Sequence, residues 1–276
     1  SCFRLSSLPA SLPVRGRVAA RRAISGVCAR RRPPALPGPR SLQMSGQEQA
    51  AQIPVDGTYI DALVTVQSSP VVVIALHPWG PLGGSMHDPH PTSVCKLFGK
   101  AGCSTARLNF RSGIGSGSSS IADVVAVASW FTKAQGTDAP IASQVLIVGY
   151  SYGSVIGAAA AADIPECIGF VMLGPPLDYG WALYLFSMSR LRAKALDSIG
   201  KPKLVVVGTS DQFCSVKTFM DFYEEMPEPK SQIVMDGMDH FSIYRKLTEP
   251  LKSWVCDAFG VEDLQAFAIR GMACAP

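Results

Sequence analysis

The chain lacks several features that would place it in other protein classes. No run of about 18 uncharged apolar residues occurs among its 276 residues, so we expect no segment that spans a bilayer. No Cys-x-x-Cys pair occurs, and several of the eight cysteines lie inside apolar segments. This distribution indicates reduced, buried thiols of an intracellular protein and not a disulfide framework.

Acidic residues and lysine are absent from residues 1–45, which contain nine arginines. Removing these nine from the 25 basic residues leaves 16 against all 21 acidic ones, so residues 46–276 carry a net charge of −5. Because a nucleic-acid-binding domain needs a clustered basic face, we expect no nucleic-acid partner for this mildly acidic part.

Residues 1–45 are rich in Arg, Ser, Ala and Pro, and we expect them to form a disordered leader. Their composition is typical of a transit peptide for a plastid or another organelle. The alternative is a translated leader with Met44 as the true start, which would leave the protein cytoplasmic.

From Thr58 onward, short β-branched apolar runs alternate with helical patterns, which indicates parallel strands joined by crossover helices. About seven strands predict one three-layer α/β/α sandwich over residues 50–260, with a mostly parallel central sheet. Residues 261–276 form a C-terminal tail without an assigned role, and docking on a partner is one hypothesis for it. The predicted strands are Tyr59–Val66, Val71–Leu76, Thr105–Phe110, Gln144–Val148, Ile168–Leu173, Leu204–Val207 and Gln232–Met235. The predicted helices are Pro91–Ala101, Ile121–Lys133, Tyr152–Ala162, Ser215–Met226 and Tyr244–Phe259.

The strongest motif is Gly149-Tyr150-Ser151-Tyr152-Gly153, which lies between a predicted strand and a predicted helix. A G-x-S-x-G sequence in this setting is typical of the nucleophile elbow, a sharp turn that lifts the serine hydroxyl above the sheet. Side chains two residues before or after Ser151 would collide with their neighbours, and glycine at both positions removes that crowding. We therefore predict Ser151 as a nucleophile.

A serine hydroxyl needs a base, and in this arrangement the base follows the nucleophile and an acid along the chain. His240 is the only one of the four histidines after Ser151, so it is the predicted base. Asp211, at the carboxyl end of the strand Leu204–Val207, is the predicted acid that orients it. Asp178 is the rival for this role, while Asp239 adjoins His240 and would point away from it.

An oxyanion hole needs two N–H donors near the serine. Tyr152 supplies one. The second should come from the loop after Val71–Leu76, where Pro78 has no N–H and Trp79 is the predicted donor. We expect His77 to pack or to form hydrogen bonds beneath this loop.

Other segments give weaker signals. The glycine- and serine-rich stretch 112–118 departs from both phosphate-binding glycine patterns and is predicted to be a flexible loop near the site. His87 and His90 lack a rigid face for a metal, so no metal and no cofactor are expected. An apolar segment around Trp181–Phe186 either caps an acyl pocket or buries one face of a helix.

Taken together, these residues resemble the small, nearly lidless α/β-hydrolases, close to the dienelactone-hydrolase-like and X-Pro-dipeptidyl-peptidase-like groups, over about residues 55–260. The residues that carry the likeness are His77-Pro78, Gly83-Gly84, Asn109-Phe110-Arg111, Gly149–Gly153, Gly174-Pro175-Pro176, Asp211 and Asp239-His240-Phe241. The resemblance implies the α/β-hydrolase fold, a serine triad and esterase-type chemistry. Dienelactone hydrolases proper have cysteine where Ser151 stands, which argues against that specific reaction.

The sequence therefore predicts a serine hydrolase that acts on a small carboxylic ester, a thioester or a small amide through an acyl-enzyme. A low-turnover ligand-binding protein or a scaffold on the same fold is the alternative. The sequence does not determine the oligomeric state.

Overall fold

The computed structural model describes residues 46–111, 116–134, 140–179 and 188–272. Within them, eight strands form one sheet in the order β1-β2-β4-β3-β5-β6-β7-β8. The strands from β3 to β8 run parallel, and β1 and β2 form an antiparallel edge. Strands are β1 Gln49–Val55, β2 Thr58–Thr65, β3 Val71–Leu76, β4 Ser104–Leu108, β5 Gln144–Tyr150, β6 Cys167–Leu173, β7 Lys203–Gly208 and β8 Lys230–Met235.

Helices cover both faces of this sheet, which confirms the predicted three-layer sandwich. Side chains of α2, α3, α4 and α5 pack in the core of one face, and those of α1, α6 and α7 in the core of the other. Helices are α1 Pro89–Ala101, α2 Ser118–Thr132, α3 Tyr152–Ala161, α4 Met188–Leu196, α5 Val216–Glu225, α6 Thr248–Phe259 and α7 Leu264–Arg270.

The central strands explain why the sheet is parallel and doubly covered. Every residue of β3, β6 and β7 is buried, because these largely apolar runs face helices on both sides. Leu76 at the end of β3 pairs with Gly149 near the end of β5. This register places the loop after β3 beside the turn that follows β5.

The N-terminal edge and the helix ends differ from the sequence predictions. β1 was missed, because its Gln-Ala-Ala-Gln start has little apolar alternation and Pro54 is unusual in a strand; an edge position tolerates it. α1 begins at Pro89, where the Asp88 side chain caps the helix by accepting from the His90 N–H. The closing helix begins at Thr248, after a separate 3₁₀ turn at Ile243–Arg245.

The predicted tail is partly a packed element. α7 buries Leu264, Ala266, Phe267 and Ala268, and the Ser69 hydroxyl donates to the Ala268 carbonyl at 2.6 Å. The prediction that a separate tail begins at residue 261 is therefore wrong for residues 261–272, which pack as part of the domain. Residues 273–276 lie outside the described part.

Between β6 and β7, the described residues form a 3₁₀ turn at Leu177–Tyr179 and α4. The segment Trp181–Phe186, residues 112–115 of the glycine- and serine-rich stretch and the predicted leader 1–45 lie outside the described residues. In the part of the chain that is described, no helix combines the length and apolar character needed to cross a membrane.

Candidate active site

Ser151 lies on the turn between β5 and α3 with φ 54° and ψ −122°, in a region that side-chain-bearing residues rarely adopt. A Cβ at Gly149 would overlap the Gly153 carbonyl oxygen, and a Cβ at Gly153 would overlap the carbonyl oxygen of His77. Glycine at both positions therefore lets the turn close, as the sequence predicted, and Gly153 also lets the loop after β3 approach the turn.

His240 lies in the loop after β8, with its ring 5.1 Å from that of Tyr150. Its Nε2 is 3.0 Å from the Ser151 hydroxyl oxygen. The Tyr150 hydroxyl donates to the His240 carbonyl at 3.0 Å, and the His240 N–H donates to the Gln212 side-chain oxygen at 3.3 Å. These bonds hold the loop on both sides of the imidazole.

Asp211 follows β7, and its fully buried carboxylate lies 2.9 Å (Oδ2) and 3.0 Å (Oδ1) from His240 Nδ1. The N–H groups of Phe213 and Cys214 also donate to its Oδ1. Because a carboxylate only accepts, Nδ1 carries the imidazole proton and Nε2 is left to accept from Ser151. The three side chains predicted from the sequence thus form one continuous hydrogen-bonded chain.

The rival acids have other partners. Asp178 accepts from the Thr218 hydroxyl and the Ser215 N–H, and so ties the 3₁₀ turn after β6 to the start of α5. Asp239 lies beside Ser242, whose hydroxyl accepts from the Asp239 N–H at 3.1 Å. Among the described carboxylates, the one that forms a hydrogen bond with the His240 imidazole is that of Asp211.

The predicted oxyanion donors lie on adjoining segments. Tyr152 is the first residue of α3, and its hydroxyl is 2.9 Å from that of Ser120. Trp79 precedes the 3₁₀ turn Gly80–Leu82, and its carbonyl accepts from the N–H groups of Leu82 and Gly84. The backbone of His77 lies so close to Gly153 that a Cβ at Gly153 would overlap the His77 carbonyl oxygen, so the two segments are in direct contact.

His77 forms hydrogen bonds beneath this loop, as expected. Its Nε2 accepts from the Phe110 N–H at 3.1 Å, so its Nδ1 carries the proton and donates to the Pro78 carbonyl. Burial lowers the pKa of His77, which favours this neutral form. His77 therefore links the loop after β3 to the segment after β4.

The Asn109–Arg111 segment completes that link. Arg111 Nε and its backbone N–H both donate to the buried carboxylate of Asp123 in α2. The Asn109 side-chain oxygen accepts from the Met86 N–H at 2.8 Å. These bonds fix the loops that surround the end of β3.

A second aromatic layer behind the imidazole was not predicted from the sequence. The buried His90 ring stacks on Tyr150 with centroids 3.4 Å apart and an interplanar angle of 9°. His90 Nδ1 is 3.1 Å from Asp88 Oδ1, and its Nε2 has no hydrogen-bond partner among the described residues. Only the proximity of Tyr150 to Ser151 in the motif could have pointed to this layer.

Cys214 is the one cysteine next to the acid along the chain. Burial raises the pKa of its thiol to about 12, so it stays protonated at neutral pH and is a poor nucleophile. Among the described residues, no three His, Cys, Asp or Glu side chains group in a way that could hold a metal ion. The chemistry that this arrangement offers is that of an activated serine.

Known proteins share this architecture. No family model matches the chain. An uncharacterised protein of Rickettsia prowazekii (strain Madrid E) is 25% identical over 203 residues, which are 69% of this chain and 79% of that protein.

Three solved structures illustrate the structural similarity. A lidless α/β serine hydrolase from Xanthomonas campestris aligns with a TM-score of 0.62 and 22% identity, over 76% of this chain and 94% of that one. The Pyrococcus furiosus esterase Pf2001 aligns with a TM-score of 0.63 and 17% identity, over 81% and 98%. A dienelactone hydrolase from Anabaena variabilis aligns with a TM-score of 0.59 and 17% identity, over 76% and 97%. The chain therefore has the α/β-hydrolase fold, as the resemblance in its sequence implied.

Proposed function

We propose that this protein is a serine hydrolase that cleaves carboxylic esters through an acyl-enzyme. The observation that carries the proposal is the unbroken hydrogen-bonded chain from Asp211 through His240 to Ser151, with links of 2.9 and 3.0 Å. An imidazole in this position is a base for the hydroxyl, and the carboxylate stabilises the imidazolium that forms. Thioesters and small amides are acyl donors that the same chemistry can use.

In the first half-reaction, Ser151 Oγ attacks the ester carbonyl while His240 Nε2 takes the hydroxyl proton. The tetrahedral intermediate then expels the alcohol, which leaves with that proton, and an acyl-Ser151 ester remains. In the second half-reaction, water attacks the acyl group with the same imidazole as base, and the acid product leaves. No cofactor takes part in this scheme.

The negative oxygen of each intermediate requires donors that are already in place. We assign these to the backbone N–H groups of Tyr152 and Trp79. Two observations support this assignment: Tyr152 begins α3 directly after the nucleophile, and the loop that contains Trp79 touches Gly153 through His77.

Replacing the nucleophile tests the proposal. Ser151→Ala should lower kcat for a short p-nitrophenyl ester by on the order of 10⁴–10⁶ and should abolish labelling by a fluorophosphonate, because no other group takes over the attack. Steady-state kinetics and mass spectrometry of the labelled protein measure both effects. Ser253→Ala, which alters an exposed serine of α6, is the matched control and should retain the wild-type values.

Turnover that survives in a correctly folded Ser151→Ala protein would contradict the proposal. A wild type that does not react with the fluorophosphonate but binds a ligand tightly would instead favour the ligand-binding alternative. Circular dichroism of each variant establishes that the fold is retained.

A further inference from the structure

An exposed aromatic side chain lies directly beside the imidazole of His240. Phe241 is 61% exposed, which is unusual for a phenylalanine, and its ring centroid is 5.4 Å from that of His240. Phe213 packs on the same imidazole at 4.4 Å and meets Phe241 edge-on at 6.0 Å. The two phenylalanines thus form an apolar surface, here called the Phe213–Phe241 surface, on one side of the base.

The chemistry of ester cleavage determines which part of a substrate reaches this surface. The alcohol oxygen must take its proton from His240 Nε2 as the C–O bond breaks, so that oxygen has to come within hydrogen-bonding distance of Nε2. The alkyl or aryl group of the alcohol continues from this oxygen. The imidazole packs against the buried Tyr150, which leaves no room for the group on that side. Phe241 is the exposed ring in contact with the same imidazole, so a group that extends from Nε2 toward solvent can pack on it.

Two carboxylates adjoin the residues of this surface. Hydrogen bonding with Ser242 holds the pKa of the neighbouring Asp239 below its ordinary value. Burial tends to raise the pKa of Asp178, but its bonds from Thr218 and Ser215 outweigh that effect and keep it low. Asp178 adjoins Phe213, since its N–H donates to the Phe213 carbonyl at 3.1 Å. Arg245 is the cation that acts on Asp239. Two carboxylates and one guanidinium make this side unfavourable for an alcohol that carries a negative charge.

We propose that the Phe213–Phe241 surface binds the alcohol part of the substrate, and that the preferred substrates are esters of bulky, uncharged, apolar alcohols such as benzyl alcohol. This inference rests on the proposed esterase function and specifies its leaving group. During acylation, Ser151 Oγ forms a bond to the carbonyl carbon and the bond from that carbon to the alcohol oxygen breaks. The proton taken from Ser151 passes through His240 to the departing alcohol, so water is consumed only in the later hydrolysis of the acyl-enzyme.

Esters that share an acyl group but differ in their alcohol test this proposal. With benzyl acetate and ethyl acetate, kcat/KM reports acylation, the step in which the alcohol is still present. Phe241→Ala should lower the benzyl-to-ethyl ratio of kcat/KM about tenfold, because the benzyl ring loses an apolar contact that the ethyl group scarcely makes. Phe241→Leu, which keeps an apolar side chain, should restore much of the ratio.

Two controls separate the alcohol site from a general effect of hydrophobicity. With methyl acetate and methyl hexanoate, which differ in the acyl group, Phe241→Ala should retain the wild-type ratio of kcat/KM. Ile269→Ala removes another exposed apolar side chain, 73% exposed on α7, and should leave both ratios as they are in the wild type.

The possible results distinguish the two proposals. Hydrolysis of both acetates with a benzyl-to-ethyl ratio that is the same in wild type and Phe241→Ala would overturn the alcohol site while leaving the esterase in place. A matching change in the acyl-length ratio would also overturn it, because the surface would then contact the acyl group. Absence of hydrolysis together with absence of fluorophosphonate labelling would remove the esterase, and this inference with it.

Discussion

Tyr150 joins β5, the strand that leads into Ser151, to the loop that contains His240. It is the last residue of β5, its hydroxyl donates to the His240 carbonyl, and its ring is held against the buried ring of His90. Small displacements of a catalytic group cost more activity than stability, because proton transfer depends on alignment. We therefore regard Tyr150 as a positioning residue for His240.

Tyr150→Phe keeps the stacked ring and removes the hydroxyl. The lost hydrogen bond should lower the free energy of unfolding by about 1 kcal/mol. We expect kcat to fall about tenfold with little change in KM, because the imidazole is held less well while the substrate contacts remain. Steady-state kinetics and urea unfolding measure the two effects. The control is Tyr223→Phe, which removes the hydroxyl of a tyrosine in α5 that donates to the Lys230 carbonyl. It should lower the free energy of unfolding without this loss of kcat. An equal loss of kcat in both variants would assign Tyr150 a merely structural role.

At the scale of elements, α7 shows how a segment after the last predicted helix becomes part of the core. Phe267 is fully buried, 4.9 Å from Phe259 and 6.3 Å from Phe98 by ring centroids. The capping side chain of Asp263 accepts from the Ala266 N–H at 2.8 Å and starts the helix. α7 therefore closes one face of the sheet against α1 and α6.

Phe267→Ala should lower the free energy of unfolding by about 3–5 kcal/mol, because the cavity it leaves is walled by packed aromatic rings. The neighbouring exposed side chain provides the control: Ile269→Ala should change stability by less than about 0.5 kcal/mol. Urea unfolding followed by circular dichroism measures both values. Nearly equal stabilities of the two variants would show that α7 does not contribute to the core in solution.

At the scale of the whole molecule, the stability of the fold should depend on pH through two buried histidines. Burial lowers the pKa of His77 and of His90, although Asp88 partly opposes the effect at His90; the nearby His240 acts in the same direction as burial. Tyr150 and Tyr244 contribute the rings packed on His90. Histidines of the unfolded chain titrate near pH 6.5. Just below that pH, the unfolded chain therefore binds protons at these two histidines while the native protein keeps them neutral.

The free energy of unfolding should be fully developed above about pH 6.5 and should fall as the pH decreases from about 6.5 toward the lowered native pKa values. Urea unfolding at about pH 7.5 and about pH 5.5 checks this, in a range where most carboxylates stay ionised. His90→Phe keeps a ring on Tyr150 and removes one titrating group, so the difference between the two pH values should shrink. An undiminished difference in that variant would exclude His90 as a source of the pH dependence.

The sequence by itself determined the strand–helix alternation and identified the candidate residues of the site. Continuous apolar runs such as Val71–Leu76 identify buried parallel strands, because only a doubly covered sheet buries both faces of a strand. The G-x-S-x-G motif, one eligible histidine and an aspartate after a strand then indicate Ser151, His240 and Asp211. These inferences depend on local pattern and chain order, which a sequence contains.

Only the tertiary structure decided which side chains meet. Ser151 and His240 are 89 residues apart in the chain, and the sheet register brings the ends of β5, β7 and β8 to one edge. The same packing tied Asp178 to the start of α5, placed His90 on Tyr150, left Phe241 exposed beside His240 and packed α7 in the core. Each of these depends on contacts between distant segments, where geometry and burial, and not residue type, fix the partner.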